Sequence, residues 1–260
     1  IAICDFNTAD AGIVSKSGDL GVALADEIKM YLKLTGFFNP LNKKSFLDDK
    51  SINPVIFTNW MMIGADYLVK GSVEQSEKEI SNECSLYDVV KGELLFNKKY
   101  TAGRDDLKTL AKNIASDILF ILTGEEGDFN TQIVFVAKNG DKADIYTVGY
   151  DGSELKTVTG HRSIIIAPRW SPDGQFLAFT SFKNDVPAIY IRNLSSGAER
   201  KVTSFQGINL CGYWSPDGQR LLMTLSKDGN EELYVLEVQN MRLKRLTSNY
   251  SIDVSPSWSP

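Results

Sequence analysis

The sequence predicts an α+β domain at the N-terminus, followed by part of a β-propeller. Trp-Ser-Pro-Asp-Gly occurs at residues 170–174 and again at residues 214–218, and Trp-Ser-Pro stands at residues 258–260. These phrases begin 44 residues apart, and the pair Val158-Thr159 returns at the same step as Val202-Thr203. A period of roughly 40–45 residues that carries several short strands is typical of propeller blades. Residues 1–126 show no such repeat.

The first half of the α+β domain is predicted from periodicity and from helix boundaries. Residues 1–6 are apolar enough for a buried strand. Leu24, Ile28 and Leu32 recur at helical spacing and predict a helix over residues 19–35, with Gly36 as its stop. Asn53-Pro54 is a typical helix start, which predicts a second helix to about Gly64.

The second half of this domain is predicted to be a set of strands closed by a helix. Residues 67–73 have the composition of a strand, and residues 85–90 and 93–100 indicate a hairpin that turns at Lys91-Gly92. A final helix is expected over residues 106–122, capped by Asp105 or Asp106 and ending at Gly124. Its apolar stripe predicts that one face packs on the sheet.

The predicted propeller, residues 127–260, begins after the polar linker at residues 125–128. One complete unit has four strands: one ending near Trp170, then residues 175–181, 188–193 and 200–204. The next unit repeats these strands over residues 213–247, while residues 132–159 supply only the last three strands and residues 256–260 only the first. We therefore expect about two and three-quarter blades, belonging to a longer protein, because propellers have roughly four to eight blades. The Ser-Pro-Asp-Gly phrase predicts a tight turn, and the tryptophans are expected to pack between blades.

Composition narrows the possible functions. The formal net charge is -5 and the pI is about 5.1, which argues against a nucleic-acid or anionic-membrane surface. No apolar run has the length of a membrane span. Cys4, Cys84 and Cys211 match no metal motif, and His161 is the single histidine, so we expect neither a metal nor a cofactor. The cysteines are expected to be buried, although a Cys4–Cys84 disulfide is open in an oxidising compartment.

Several motifs resemble those of the TolB family, the periplasmic component of the Tol-Pal system. They are residues 36–41 (Gly-Phe-Phe-Asn-Pro-Leu), Trp60 followed by residues 63–71, Leu122-Thr123-Gly124, Gly160-His161-Arg162-Ser163 and the Trp-Ser-Pro-Asp-Gly repeats. The resemblance covers nearly the whole chain. It implies a six-bladed propeller without enzymatic activity that binds the peptidoglycan-associated lipoprotein Pal and supports outer-membrane integrity and cell division. It also implies a TolA contact through a segment ahead of the first strand, which is absent here.

A partner-binding face is expected where loops lead into the inner strands. These loops, at residues 161–166, 206–210 and 251–254, all carry apolar residues. Apolar residues clustered on one face indicate a protein interface, although local packing is the alternative. The resemblance places Ile208, Cys211 and Val254 where Pal contacts are expected. The full predicted set is His161, Ser163, Ile164, Ile165, Ile208, Asn209, Cys211, Ile252, Asp253 and Val254.

A second hypothesis, which stays open, is a propeller that gates a serine peptidase whose hydrolase domain is missing from this chain. Such an enzyme needs a Gly-x-Ser-x-Gly nucleophile elbow and a triad histidine. The 260 residues contain no such elbow, and His161 lies in a predicted propeller loop. The sequence therefore predicts no catalytic residue within this chain.

Overall fold

The computed structural model describes residues 1–8, 19–47 and 54–259. These residues form two compact units, residues 1–131 and residues 132–260. None of the helices in these ranges is long and apolar enough to cross a membrane.

The first unit is built from a mixed sheet and three α-helices. In chain order its elements are β1 (Ala2–Ile3), β2 (Asn7–Thr8), α1 (Leu20–Leu34), α2 (Phe57–Met62), β3 (Tyr67–Gln75), β4 (Glu79–Asp88), β5 (Glu93–Gly103) and α3 (Leu107–Thr123). The strands β1 and β2 both pair with β3 in parallel, and β3, β4 and β5 follow as antiparallel neighbours. Helices α1 and α3 pack against each other and against this sheet.

Aspartate side chains cap the starts of α1 and α3, and for α3 this was predicted. The Asp19 carboxylate accepts a hydrogen bond from the Gly21 amide at 3.0 Å, and the Asp106 carboxylate accepts one from the Thr109 amide at 3.1 Å. Gly124 ends α3 in the left-handed conformation with φ 78°. Asp106, rather than Asp105, is therefore the cap of the last helix.

The predicted start of α2 was wrong. Pro54 lies ahead of the helix, which begins only at Phe57, and Asn53 lies outside the described residues. The β-branched Val55 packs against the cluster around Trp60, and Ile56 has φ -94° and ψ 87°, outside the helical region. Tertiary packing has therefore overridden a good local start signal.

The three cysteines are buried thiols, and no disulfide joins Cys4 to Cys84 in the described chain. Cys4 belongs to the apolar cluster around Trp60. Cys84 pairs in register with Lys98, whose ammonium contacts Asp117 of α3, so it lies on the opposite face of the sheet. The sheet itself separates the two sulfur atoms.

The second unit consists of three antiparallel sheets. The first sheet contains β6 (Gln132–Asn139), β7 (Lys142–Gly149) and β8 (Lys156–Thr157). The second contains β9 (Ile165–Trp170), β10 (Phe176–Ser181), β11 (Ala188–Asn193) and β12 (Glu199–Thr203). The third contains β13 (Asn209–Trp214), β14 (Arg220–Leu225), β15 (Glu232–Glu237) and β16 (Arg242–Arg245). The sheets succeed one another at the 44-residue step, as the repeat predicts for propeller blades.

The Ser-Pro-Asp-Gly phrase is a structural turn, as predicted. In the second sheet the Asp173 carboxylate accepts from the Ser171 hydroxyl at 2.6 Å and from the Gln175 amide at 3.0 Å, and Gly174 has φ 68°. These hydrogen bonds, with the Ser171 hydroxyl first, lower the pKa of Asp173. The turn of the third sheet repeats the same contacts. Each turn joins an inner strand to the next strand of its sheet.

Tryptophan side chains join neighbouring sheets, also as predicted. The Trp214 indole N–H donates to the Arg169 carbonyl of the second sheet at 3.2 Å, and Trp214 packs in the apolar cluster between the second and third sheets. The Trp258 indole makes the equivalent bond to the Tyr213 carbonyl at 3.0 Å. Trp170 packs between the first and second sheets, but its buried indole N–H has no hydrogen-bond partner among the described residues.

The strand predicted at residues 256–260 is not formed over the described part, residues 256–259. In the second and third sheets the inner strand is held by the strand that follows it. No described strand pairs with residues 256–259. Trp258 therefore occupies its place in the repeat without the strand that surrounds its counterparts.

Candidate partner-binding face

Three loops, together with the first residues of β9 and β13, carry the predicted partner-binding residues. We call residues 158–164 the first leading loop, residues 204–208 the second leading loop and residues 246–254 the third leading loop. The first two enter their sheets through equivalent backbone bonds, since the Phe182 amide donates to the Ile164 carbonyl at 2.9 Å and the Ser226 amide to the Ile208 carbonyl at 3.2 Å. The loops therefore occupy the same end of successive sheets, opposite the Ser-Pro-Asp-Gly turns.

The predicted residues differ in accessibility. Three apolar side chains are exposed: Ile164 at 52%, Ile252 at 68% and Val254 at 49%. The half-buried members are His161, Ser163, Ile208 and Asp253, and the buried members are Ile165, Asn209 and Cys211. The exposed apolar side chains of the predicted set therefore belong to the first and third leading loops.

His161 anchors the first leading loop to the second sheet. Its Nδ1 lies 3.1 Å from the Ser181 hydroxyl, and its Nε2 lies 3.0 Å from Oε2 of Glu199. The ring lies against the stacked rings of Phe179 and Tyr190, with centroids 5.7 and 5.9 Å away. Its side chain is only 10% exposed. We infer that the buried His161 ring holds the first leading loop in place and does not itself contact a partner.

Glu199 holds this anchor through its negative charge. Burial opposes ionisation, but hydrogen bonds from His161 and Lys183 outweigh it and lower the pKa of Glu199 to about 2. Lys183 contacts the other carboxylate oxygen and lies 4.1 Å above the Tyr190 ring, and the Arg192 guanidinium lies 3.5 Å from Oε2. Glu199 is consequently ionised at neutral pH within a compact cluster of cations.

Ser181, His161 and Glu199 do not form a hydrolytic site despite their order. The Ser181 side chain is completely buried, and its oxygen accepts a hydrogen bond from the Lys183 amide at 3.3 Å. A serine nucleophile has to reach its substrate, which this hydroxyl cannot do. The three residues are better explained as an internal hydrogen-bond chain that fixes a loop.

The second leading loop is closed by Asn209. Its side-chain oxygen accepts from the Phe205 amide at 3.0 Å, and its Nδ2 donates to the Phe205 and Gly207 carbonyls at 2.7 and 3.2 Å. The residue is fully buried. The polar partner contact expected of Asn209 is therefore not available in this structure, because the amide is occupied within its own loop.

The third leading loop is crosslinked by polar side chains and leaves its apolar side chains outside. Nδ2 of Asn230 donates to the Asn249 and Ser251 carbonyls at 3.0 and 2.6 Å. Nδ2 of Asn249 donates to Asp253 at 2.7 Å. These bonds fix the backbone on both sides of Ile252, which points its apolar side chain to solvent.

The remaining concave features do not carry an evident reaction centre. A cavity of about 540 Å³ is lined by residues of the first sheet, including Asp144 and Tyr146, and by residues of the first leading loop, including Arg162. A second cavity of about 640 Å³ lies between the two Ser-Pro-Asp-Gly turns, at the other end of the sheets. Within the described ranges no group of three or more His, Cys, Asp or Glu side chains could hold a metal ion.

Comparison with known protein families identifies the family of both units. The TolB beta propeller domain family matches residues 120–260, and the TolB amino-terminal domain family matches residues 1–95. The chain belongs to the TolB family. The resemblance seen in the sequence motifs is thus confirmed over both units.

Individual relatives agree with this assignment. The chain is 40% identical over 200 residues to the Tol-Pal system protein TolB of Syntrophus aciditrophicus, an alignment that covers 74% of this chain and 44% of the relative. It is 31% identical over 203 residues to that of Roseobacter denitrificans, covering 75% and 44%. The crystal structure of TolB from Acinetobacter baumannii superposes with a TM-score of 0.83 at 29% identity, covering 97% of this chain and 61% of the other. The aligned part of this chain therefore spans less than half the length of these two sequence relatives.

Sequence reasoning missed the residues that hold the loops. Ser181 and Glu199 lie 20 and 38 residues beyond His161, so nothing local announces their contact. The sequence did contain a signal for a second set of residues that hold the loops. Acidic residues at 144 and 232 precede Thr159 and Thr247 by the same 15 positions.

Proposed function

We propose that the protein is a non-enzymatic, periplasmic scaffold of the Tol-Pal system. It binds a Pal-type peptidoglycan-associated lipoprotein through the three leading loops and thereby supports outer-membrane integrity and cell division. The observation that carries the proposal is the exposure of Ile164, Ile252 and Val254 on equivalent loops of a TolB-family chain. Apolar side chains held outward by ordered loops are suited to bury area against a protein partner.

The three residues have the chemistry of interface anchors. Their loops are held by internal hydrogen bonds, so little backbone freedom is left to lose on association. Half-buried Ser163 and Asp253 lie beside them and supply polar groups at the rim. Binding energy is expected to concentrate in a few of these side chains.

The first experiment is a calorimetric titration of the protein with the soluble domain of the Pal-type lipoprotein from the same organism. We expect saturable one-to-one binding. The variant Ile252→Asp, which places a charge at the most exposed of the three positions, should weaken binding by at least about tenfold, or 1.4 kcal/mol. Ile208 is a less clean probe because it is only half exposed and its backbone is bonded to Ser226.

The matched control is Leu155→Asp. Leu155 is 62% exposed and lies between β7 and β8, at the other end of the sheet from the leading loops. It introduces the same charge change, so its affinity should equal that of the parent protein. Equal losses in both variants, or no binding by a folded parent protein, would contradict the assignment of this face.

A further inference from the structure

A carboxylate near the start of β7 ties the first leading loop to the first sheet. Oδ1 of Asp144 accepts a hydrogen bond from the Thr159 hydroxyl at 3.0 Å and from the Arg162 backbone amide at 3.3 Å. The Thr159 hydroxyl in turn accepts from the Ile145 amide at 2.9 Å. One acidic side chain thus bonds the loop that carries Ile164 to the sheet, next to the backbone bridge between Ser163 and Ala143.

The third sheet repeats this arrangement with a longer acid. Glu232 stands 88 residues after Asp144, two steps of the repeat, and is fully buried. It accepts from the Thr247 hydroxyl, from the Asn249 backbone amide at 2.9 Å and from the Arg245 guanidinium at 2.9 Å. The Thr247 hydroxyl accepts from the Leu233 amide at 3.0 Å, which reproduces the contact of Thr159.

The second sheet lacks the acid. The equivalent residue is Ala188, and the equivalent threonine, Thr203, has a buried hydroxyl without a hydrogen-bond partner among the described residues. The Phe205 amide of the second leading loop is bonded to Asn209 instead. The orphaned hydroxyl shows that this threonine position needs the carboxylate to be satisfied.

We propose that Asp144 and Glu232 are positioning residues that set the first and third leading loops in the conformation that presents Ile164, Ile252 and Val254. The carboxylates act through the loop amides and touch no partner. The second leading loop, set by Asn209, is independent of them. The effect on partner affinity rests on the proposed function, whereas the effect on the loops does not.

The structural test is hydrogen exchange of the loop amides in Glu232→Ala. The Asn249 amide loses its acceptor, and exchange at Asn249 and Ser251 should accelerate by about tenfold or more, since a charge-assisted bond to a buried acid is lost. Exchange in the second leading loop should not change. Glu232→Asp, the acid that the first sheet already uses, should restore most of the protection. Acceleration spread equally over all sheets, or no acceleration at Asn249, would overturn the proposal.

Two threonine substitutions control for general misfolding of the Glu232 variants. Thr247→Val removes a hydroxyl that donates a hydrogen bond to Glu232. Thr203→Val removes a hydroxyl that has no hydrogen-bond partner among the described residues. We expect faster exchange of the third leading loop in the first variant and unchanged exchange of the second leading loop in the other. Equal responses to the two substitutions would contradict a specific role of the carboxylate.

The functional test is the same titration with the soluble domain of the Pal-type lipoprotein. Glu232→Ala should weaken binding by about tenfold, because a loop that is no longer held by the carboxylate has to be ordered on association. Glu232→Asp should restore the affinity. Unchanged affinity despite accelerated exchange would overturn the link between loop setting and binding. Absence of binding by the parent protein would refute the proposed function, while the exchange results would still decide whether the acids set the loops.

Discussion

The first and second sheets contain the same aromatic pair in different surroundings. Phe135 stacks on Tyr146 with centroids 5.8 Å apart, and Phe179 stacks on Tyr190 at 6.0 Å, both with an interplanar angle of 22°. The second pair is buried beneath His161 and the first sheet, whereas the first pair is only half-buried. The repeated sequence fixes the geometry of the aromatic pair, but the burial of the pair depends on whether a preceding sheet packs against it.

The largest expected effect comes from truncating the buried ring. Phe179→Ala should lower the free energy of unfolding by about 3–5 kcal/mol, because it leaves a cavity in the cluster between the first and second sheets. Phe135→Ala should cost roughly 1–2 kcal/mol in the same 260-residue chain, since its ring is partly hydrated already. Urea denaturation of the two variants measures both values, and equal costs would break the comparison.

A medium effect is expected from the carboxylate that holds His161 over the second pair. Glu199→Gln should destabilise the chain by about 2 kcal/mol, because a buried hydrogen-bonded charge is lost and its cations remain. The counterpart in the first sheet is the exposed Leu155, where Leu155→Gln should change stability by less than about 0.5 kcal/mol. Thermal or urea unfolding of both variants at neutral pH provides the check.

The same carboxylate predicts a pH dependence with a defined sign. The pKa of Glu199 is lowered from 4.5 to about 2 in the folded chain, so its contribution is fully present above pH 4.5 and is lost as the pH falls towards 2. Glu199→Gln should flatten this part of the stability curve. Identical acid sensitivity of the parent chain and the variant between these pH values would contradict the ionised cluster.

The smallest effect should distinguish two tryptophans. Trp214→Phe removes a hydrogen bond to the Arg169 carbonyl, whereas Trp170→Phe removes an indole N–H that has no partner among the described residues. Trp214→Phe should therefore be more destabilising, by about 1 kcal/mol. If Trp170→Phe costs as much as Trp214→Phe in equilibrium unfolding, the indole bond does not join the sheets energetically.

Local chemistry made much of this fold predictable, and distant contacts set the limits. The Ser-Pro-Asp-Gly turns and the caps at Asp19 and Asp106 use neighbours within five residues, so the sequence contains what they need. The predicted start of α2 was wrong because the packing of Val55 with the Trp60 cluster outweighed the preference of proline for the first turn of a helix.

The candidate face was predictable as a set of loops but not side chain by side chain. Ile164 and Ile252 are exposed as an interface requires, while Asn209, expected to supply a polar partner contact, is buried. Cys211 is buried as its residue type predicts, and not exposed as the position of a partner contact would require. Burial of Cys211 raises the pKa of its thiol to about 12, so it remains protonated at neutral pH. Asn209 turns inwards to bond Phe205 and Gly207 of its own loop, whereas the Cys211 amide bonds the Thr180 hydroxyl of another sheet, a contact that a single sequence does not display.

Trp258 also bears on the order of assembly. Its indole is bonded to the Tyr213 carbonyl although residues 256–259 form no strand. The indole hydrogen bond between consecutive repeats therefore forms here without a strand around the tryptophan. Because Trp214 makes the same bond to the repeat before it, a folded repeat offers its carbonyl to the tryptophan of the next one, and this contact can align successive repeats in register.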